Sequence, residues 1–404
     1  MNNMRRALII TIVALIIIGL GVAAYFIFFR STPSVTVTMP SGDTNLPSAG
    51  QTSSPSSGGS GSPSFAPSAS PVAVTARLVE ISTGPVVPGE AVVDQSAATT
   101  RSSPNVAVNY IDQQSGNVYS YLTNDKTITR TSNKTIPGIE SASWLPNGSL
   151  AFVRYLSGAD FSTINTYALS ASSSDGFFLP QDLADIAVSP TSVLALASGV
   201  NGSVASLEHI DGTHATTVFT TPLSALRVSF AGKNQYLAFT KPTATLPGDA
   251  FLVSGTGRFS HIAGPLNGLV ALASPSGKWL LVSYTLNAAM QMELINTTTG
   301  QELPLPVATI ADKCVWTEDE SALYCGIPTN STAATYPDDW YQGTLSFSDR
   351  IWKIDVAGRY AQLVLDFSSA NSGSLDVESL AVDPAMTILT FINKNDGSLW
   401  SYSL

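Results

Sequence analysis

The side chains best suited to binding lie close together in one segment, residues 327–348, and in the acidic residue just after it. Aromatic rings stand beside carboxylates there, a combination that suits sugar faces and hydroxyls or the cationic groups of peptides. The alternative is that Trp340 and Tyr341 fold back and cap the structure that the segment interrupts. We expect a ligand-binding patch formed by Tyr336, Asp338, Asp339, Trp340, Tyr341 and Asp349.

Motifs for common catalytic machinery are missing from the sequence. It has no Gly-x-Ser-x-Gly elbow, no Gly-x-x-x-x-Gly-Lys-Ser/Thr loop and no His-Glu-x-x-His pair. Glycoside hydrolysis needs two carboxyls ~5–9.5 Å apart across a sugar. Asp338 and Asp339 are adjacent in sequence, so they need not converge on one substrate. We therefore assign no catalytic residue and no cofactor.

Metal sites are also not expected, because three histidines and two cysteines cannot fill several zinc sites. His209 and His214 flank an Asp-Gly turn, which is typical of an ordinary hairpin. Asn393, Asn395 and Asp396 resemble part of a calcium loop, but the alternate spacing and the terminal glutamate are missing. A hairpin turn is the better interpretation of those residues.

The two cysteines, Cys314 and Cys325, lie on two short apolar segments joined by a turn. If Thr317 pairs with Ala322, Cys314 faces Cys325, and directly opposed residues have Cβ atoms ~4.5–5.5 Å apart. A disulfide needs a slightly shorter separation of ~3.8 Å, and such a pair should oxidise outside the cytoplasm. Two buried free thiols, or a redox or metal site with further ligands, are the alternatives.

Composition excludes several classes of protein. Lys and Arg number 19 against 29 Asp and Glu, giving a net charge of −10, so no large basic surface is available for nucleic acid. Charged residues are 12% of the 404, half the usual share of ~25%. Hydrophobic residues are 44%, which is too many for a generally disordered chain.

The first 71 residues predict a membrane anchor and a tether. Residues 7–29 carry no charge, and 23 residues at ~1.5 Å each are long enough to cross a bilayer. Basic residues before the span place residues 1–6 in the cytoplasm and the remainder outside. A cleaved signal peptide is the alternative, although its apolar region would be shorter. The Ser/Pro/Gly-rich residues 30–71 predict a disordered linker.

Residues 72–404 form a repeat. Short apolar segments, each followed by a turn and a second apolar segment, recur roughly every 41–44 residues, with one longer gap of roughly 66. That period is the length of one four-stranded propeller blade. Seven blades result if residues 76–82 supply the missing fourth strand of the last blade and residues 89–94 form the first inner strand. Six or eight blades are the alternatives.

The turns at Ser274–Lys278 and Trp144–Gly148 resemble the WD40-like repeats of TolB-type periplasmic propellers. The layout is also similar to that of single-pass, membrane-anchored propeller proteins of candidate-phyla (Parcubacteria-type) bacteria, most of all at Tyr336–Gly343 and Ile351–Asp355. The resemblance covers residues 72–404 and implies a fold, but no activity.

These patterns predict an all-β, seven-bladed β-propeller closed by an N-terminal strand, preceded by one transmembrane helix and a disordered stalk. The expected role is non-enzymatic: an extracytoplasmic disc that binds or scaffolds an envelope protein or glycan. A propeller hydrolase or lyase acting on envelope polysaccharide is the second hypothesis. A coat component held by contacts between propellers is the third, because fold alone does not determine function.

Overall fold

Seven antiparallel sheets of four strands each make up the described part of the chain. The computed structural model describes residues 77–95, 105–330, 334–370 and 372–404, all within the compact unit of residues 73–404. Inner strands of neighbouring sheets contact one another. The protein is therefore a seven-bladed β-propeller, which confirms the predicted blade number and excludes six or eight.

We number the blades from the first complete one; β1 (Leu78–Ser82) precedes it and belongs to the last. Strands are given from the inner to the outer edge of each blade. Blade one contains β2 (Ala91–Asp94), β3 (Val106–Ile111), β4 (Val118–Leu122) and β5 (Thr127–Arg130), and blade two contains β6 (Ile139–Trp144), β7 (Leu150–Ser157), β8 (Thr163–Ser170) and β9 (Gly176–Phe178). Blade three contains β10 (Leu183–Val188), β11 (Ser192–Gly199), β12 (Gly202–His209) and β13 (Thr216–Thr221), and blade four contains β14 (Leu226–Phe230), β15 (Gln235–Thr240), β16 (Pro247–Ser254) and β17 (Phe259–Asn267).

The remaining blades follow the same order. Blade five contains β18 (Val270–Ala273), β19 (Trp279–Leu286), β20 (Ala289–Asn296) and β21 (Glu302–Pro304). Blade six contains β22 (Cys314–Trp316), β23 (Ala322–Pro328), β24 (Asp349–Asp355) and β25 (Ala361–Asp366). Blade seven contains β26 (Val377–Val382), β27 (Ile388–Asn393), β28 (Leu399–Ser403) and then β1.

The ring closes by pairing the first strand with the last. β1 lies antiparallel to β28, with Leu78 opposite Tyr402 and Glu80 opposite Trp400, as predicted. The first inner strand begins at Ala91 rather than at Gly89. Gly89 has a φ of +105°, and a Cβ there would lie 2.0 Å from the Ala142 carbonyl oxygen, so the chain turns at this glycine before the strand starts.

The second strand of each blade is buried on both faces, because neighbouring blades cover the two sides of the sheet. β11 buries the continuous run Val193–Leu196, and β19 buries Leu280–Val282. Consecutive apolar residues, rather than an alternating pattern, are what a strand covered on both faces requires. These runs are the short apolar segments whose repetition predicted the blades.

Helical structure is brief in the described residues. A single turn, α1 (Asp338–Tyr341), interrupts blade six, and 3₁₀ turns occupy Ala311–Lys313 and Phe367–Ala370. No helix within the described ranges is long and apolar enough to cross a membrane. The predicted span at residues 7–29 and the predicted linker at 30–71 lie outside those ranges.

Cys314 and Cys325 form a disulfide between the first two strands of blade six. Cys314 lies directly opposite Cys325 and Trp316 opposite Leu323, which confirms the predicted register. The disulfide joins the inner strand β22 to β23. Cys314 is the first residue of β22, so the link lies where the chain enters the blade.

The propeller has two unlike faces. Links between the first and second strands, and between the third and fourth, emerge on one face because neighbouring strands are antiparallel. The other face, which we call the upper face, carries the links between the second and third strands and the links from blade to blade. Inner strands begin at this face, and we call the end of the central channel on this face its mouth.

Closure should contribute measurably to stability. Ile81 of β1 is 6% exposed and packs with Val108, Ile392 and Leu399 of the first and last blades. We expect Ile81→Ala to lower the free energy of unfolding by about 2–5 kcal/mol through lost burial and a residual cavity. Urea denaturation measures this.

The neighbouring substitution Glu80→Ala changes an exposed residue on the same strand and serves as the control. We expect it to alter the free energy of unfolding by no more than about 0.5 kcal/mol. If Ile81→Ala lowered the free energy of unfolding as little as Glu80→Ala does, the burial of β1 would contribute little to ring closure.

Candidate functional site

The long segment of blade six lies on the upper face, between β23 and β24. It runs from residue 329 to residue 348, and residues 331–333 lie outside the described ranges. The turn α1 is its centre. Tyr336 precedes α1 and Phe347 follows it, and their rings stack on each other with centroids 6.0 Å apart.

The six residues predicted to form a binding patch divide into two groups. Tyr336, Trp340 and Asp349 are 2%, 4% and 2% exposed and offer no surface to a ligand in this structure. Asp338 and Asp339 are half-buried, and Tyr341 is 37% exposed. Trp340 thus folds inward, as the alternative interpretation proposed, while the binding role of the more exposed residues stays a prediction.

The segment is fastened to other blades by hydrogen bonds from polar groups. A carboxylate oxygen of Asp338 accepts a 2.7 Å bond from the Ala244 backbone N–H in the second-to-third link of blade four. The Thr285 hydroxyl of blade five donates to the Tyr336 carbonyl oxygen at 3.1 Å. A carboxylate oxygen of Asp339 accepts a 2.7 Å hydrogen bond from the Thr335 N–H, which links α1 to the residues just before it. The segment is therefore a cap that reaches from blade six to blade four.

Tyr341 extends the cap to the mouth of the channel. Its hydroxyl donates a 2.7 Å hydrogen bond to Asp312, at the entry to the inner strand of blade six. Arg227, on the inner strand of blade four, pairs with the same carboxylate oxygen at 2.7 Å. Burial, and then the negative charge of Asp312, raise the pKa of the Tyr341 hydroxyl well above 10. The phenol therefore stays protonated and keeps donating near neutral pH.

A buried lysine lies beneath the cap. Lys313 is completely buried, and its ammonium pairs with Asp376 and, at 2.8 Å, with Asp349. Its Nζ also lies 4.8 Å from the centroid of the Trp340 ring and 4.9 Å from that of Phe347. A buried cation is tolerated only when it is paired in this way.

The two carboxylates of this cluster have different surroundings. Asp376 accepts 3.1 Å bonds from Trp340 Nε1 and a 3.0 Å bond from the Phe347 N–H. Asp349 accepts a 2.7 Å bond from the Val377 N–H on Oδ2, whereas its Oδ1 is buried and receives no hydrogen bond from any described residue. Burial raises the pKa of Asp349 to about 6, although Lys313 acts in the opposite direction.

A second buried carboxyl lies where the ring closes. Glu90 is half-buried as a residue, but its carboxyl is enclosed between blades one and seven. The Thr390 hydroxyl donates to its Oε1 at 2.9 Å, and Oε2 has no hydrogen-bond partner among the described residues. Burial, reinforced by the nearby Glu378, raises the pKa of Glu90 from 4.5 to about 8, so this carboxyl is largely protonated at neutral pH.

An aromatic groove of about 510 Å³ opens on the upper face of blade two. Tyr155, Phe161, Tyr167 and Phe178 line it, and Lys134 lies 5.3 Å above the Tyr167 ring. Phe161 and Phe178 are 68% and 60% exposed. Phe161 also has a φ of +54°, a left-handed conformation that is rare and costly for a bulky residue.

Exposed apolar side chains continue around this face. Each link between the second and third strands of blades two to six carries one at its tip or base, namely Phe161, Val200, Leu246, Leu286 and Tyr341. The same links of blades one and seven, residues 112–117 and 394–398, are polar. The apolar tips therefore form an arc over five consecutive blades.

His209 and His214 form the hairpin expected of them, and His261 lies elsewhere on the surface. His209 and His214 lie on both sides of a tight turn, are exposed, and have ring centroids 4.8 Å apart. His261 pairs with Asp249 at 2.9 Å on the surface of blade four. Among the described residues, no three His, Cys, Asp or Glu side chains are grouped closely enough to hold a metal ion.

Sequence reasoning missed Lys313, Asp376 and Glu90 as well as the groove. Each of the three charged residues directly precedes an apolar inner strand, and this position was the available signal. The signal at Phe161 was weaker: it is a single large apolar residue within an otherwise polar link.

Neither a protein-family model nor a curated protein matches this chain. Among solved structures it is similar to oligogalacturonate lyase from Vibrio parahaemolyticus, at 7% identity and a TM-score of 0.53, covering 81% of this chain and 93% of that one. An oligogalacturonate lyase in complex with manganese is similar at 8% identity and a TM-score of 0.52, covering 81% of this chain and 98% of that one. For TolB from Acinetobacter baumannii the identity is 9% and the TM-score 0.42, with 69% of this chain and 79% of that one covered. At such identities the likeness shows the propeller fold alone.

Glu90 should make stability depend on pH. Its folded pKa of about 8 exceeds 4.5, so its proton stabilises the fold fully below pH 4.5, and this contribution is lost as pH rises to about 8. The loss amounts to at most about 5 kcal/mol at ~1.36 kcal/mol per pKa unit. We expect Glu90→Gln, which keeps the shape without the charge, to flatten the decline in unfolding free energy between pH 5 and pH 8.

Urea titrations across this pH range measure the effect. Glu140→Gln, at an exposed carboxyl on β6, is the control and should leave the slope of the wild type unchanged. If the wild type and Glu90→Gln show the same slope, Glu90 does not carry its proton in the folded state.

Proposed function

We propose that this protein is a non-enzymatic binding propeller of the cell envelope, anchored by residues 7–29, that recognises an envelope protein through its upper face. The disc lies outside the cytoplasm in this proposal, and the linker of residues 30–71 gives it reach. The observation that carries the proposal is the arc of exposed apolar side chains on the links of blades two to six.

An apolar arc of this kind indicates a macromolecular partner. Single exposed apolar residues are normal on any surface, whereas several of them on one face favour an interaction site. Here five consecutive blades contribute in the same position, although their links differ in length and sequence. Apolar tips such as Leu246 and Leu286 favour a protein surface over a glycan, because sugars are bound by flat aromatic faces and polar groups.

The aromatic groove would be the deepest part of this surface. It lies at one end of the arc, with Phe161 belonging to both, and it can receive an apolar or aromatic side chain of the partner. Interfaces concentrate their binding energy in a few aromatic anchors that fill such recesses.

A hydrolase or lyase acting on envelope polysaccharide is the second candidate. The observation in its favour is Glu90, a carboxyl that holds its proton near neutral pH and lies close to Glu378. Against it, Oε1 of Glu90 already accepts the hydrogen bond of Thr390 and Oε2 is buried, so neither oxygen is presented to a ligand in this structure. We therefore rank the binding function first.

Binding can be tested with a variant of the arc. We expect Phe161→Ser, Leu246→Ser, Leu286→Ser in residues 72–404 to reduce capture of the partner from envelope extract at least about tenfold, which corresponds to ~1.4 kcal/mol. Quantitative mass spectrometry of the captured proteins provides the measurement. All three changes are at exposed sites, so the unfolding temperature should stay that of the wild type.

Tyr360→Ser is the matched control, because Tyr360 is 56% exposed on the opposite face, in the link between β24 and β25. It should capture the partner as well as the wild type does. A partner retained by the triple variant but lost with Tyr360→Ser would move the binding surface to the opposite face. Release of polysaccharide fragments without any captured protein would favour the enzyme.

Topology is tested separately by protease treatment of intact cells. We expect the propeller to be released or cleaved while the membrane is unbroken, because residues 30–404 lie outside in this proposal. A cytoplasmic protein serves as the internal control for leakage. A propeller that resists protease until the membrane is disrupted would overturn the proposed orientation.

A further inference from the structure

We propose that Lys313 and Asp376 are joined by an intramolecular amide bond, formed autocatalytically after folding, with Asp349 as the group that moves the proton. Such a bond would be a covalent cross-link between blades six and seven, beneath the cap. It goes beyond the proposed function and does not depend on it.

The first support is the placement of the reacting groups. Lys313 ends the 3₁₀ turn before β22, Asp349 begins β24, and Asp376 directly precedes β26, so three separate elements bring them together. All three side chains are 0% exposed, and the Lys313 ammonium contacts both carboxylates. Fixing an amine against a carboxyl raises the effective concentration of the reacting pair to ~10⁵–10⁸ M in favourable cases.

The second support is that Asp376 is surrounded as an electrophile should be. Trp340 Nε1 and the Phe347 N–H donate to its carboxylate oxygens at 3.1 Å and 3.0 Å. Attack by nitrogen on the carboxyl carbon places negative charge on an oxygen, and donors at such distances stabilise it. Within the described ranges, Asp349 receives one such bond, from the Val377 N–H, which makes Asp376 the better reacting partner.

The third support is the state of Asp349. Its Oδ2 lies 2.8 Å from the Lys313 nitrogen, within reach for proton transfer. Its Oδ1 is buried and receives no hydrogen bond from any described residue, so it is free to carry a proton. Burial, which raises the pKa of this carboxyl to about 6, suits a group that takes and returns a proton near neutral pH.

The reaction balances without any further reagent. Asp349 accepts a proton from the Lys313 ammonium, and the freed amine attacks the carboxyl carbon of Asp376 to form a C–N bond. The C–O bond then breaks, and the departing oxygen leaves as water with protons from the amine and from Asp349. One ammonium and one carboxylate become one amide and one water, with no oxidation or reduction, and Asp349 ends unchanged.

The surroundings favour the product. The Trp340 and Phe347 rings cover the Lys313 nitrogen at 4.8 Å and 4.9 Å, and Tyr336 and Phe347 stack over the same region. A buried ion pair loses the hydration of both ions, whereas an amide carries no net charge. Exclusion of water also slows the reverse hydrolysis of the bond.

The test is the mass of the full-length protein after denaturation and reduction of the disulfide. We expect a mass lower than that of the sequence by one water, and a tandem mass spectrum that links the peptide of Lys313 to the peptide of Asp376. This measurement needs no variant and is independent of whether any substitution folds. The full sequence mass, with a Lys313 amine that can be acetylated in the denatured chain, would overturn the proposal.

Two other results would also overturn it. A succinimide formed within one aspartate loses the same water but leaves the Lys313 amine free to react. A link from Lys313 to Asp349 would show that the roles of the two carboxyls are reversed. Fragment masses distinguish both from the expected Lys313–Asp376 link.

Variants test the assigned roles. Lys313→Met should have its full sequence mass, and Asp349→Asn should lose water slowly or not at all. Asp376→Asn can form the same amide by losing ammonia in place of water, so its mass deficit should change accordingly. Lys394→Met is the matched control: Lys394 also lies 4.8 Å from the Trp340 ring but pairs with Glu378, and the variant should keep the water loss.

Discussion

The upper side of blades six and seven depends on the contact of one buried lysine with two buried aspartates. Lys313 is fully buried, and without Asp349 and Asp376 beside it the burial of its charge would cost several kcal/mol. The same carboxylates also receive the backbone N–H groups of Phe347 and Val377, so the ion cluster determines where the cap turns and where the inner strand of blade seven begins. Removing one charge would leave the others unpaired.

This constraint explains why the aromatic residues of the cap are inside. Trp340 has an indole N–H that must be satisfied when buried, and Asp376 satisfies it. With the ring held there, the next residue, Tyr341, is directed toward Asp312 and Arg227 at the mouth of the channel. The cap is therefore fastened to blades four, five and six, and the tips of the neighbouring links carry the surface that we propose for a partner.

Ring closure and surface character are separate features of this propeller. Closure depends on β1, on the apolar cluster around Ile81, and on the enclosed carboxyl of Glu90 between the first and last blades. The apolar arc occupies blades two to six and leaves the junction polar. The residues that stabilise the ring are thus distinct from those proposed to bind, so binding can be altered without opening the ring.

The sequence by itself predicted seven blades, the closing strand and the disulfide, with six or eight blades and free thiols left as alternatives. Those features follow from local patterns: apolar runs at a fixed period, turns between them, and two cysteines equally distant from one hairpin turn. Only the tertiary structure decided that Trp340 is buried, that Lys313 meets Asp376, and that Phe161 and Leu286 share a face. Lys313 and Asp376 are 63 residues apart, and the burial of each depends on the other. Isolated apolar residues in links have no period, so their common face becomes evident only when the blades are arranged in the ring.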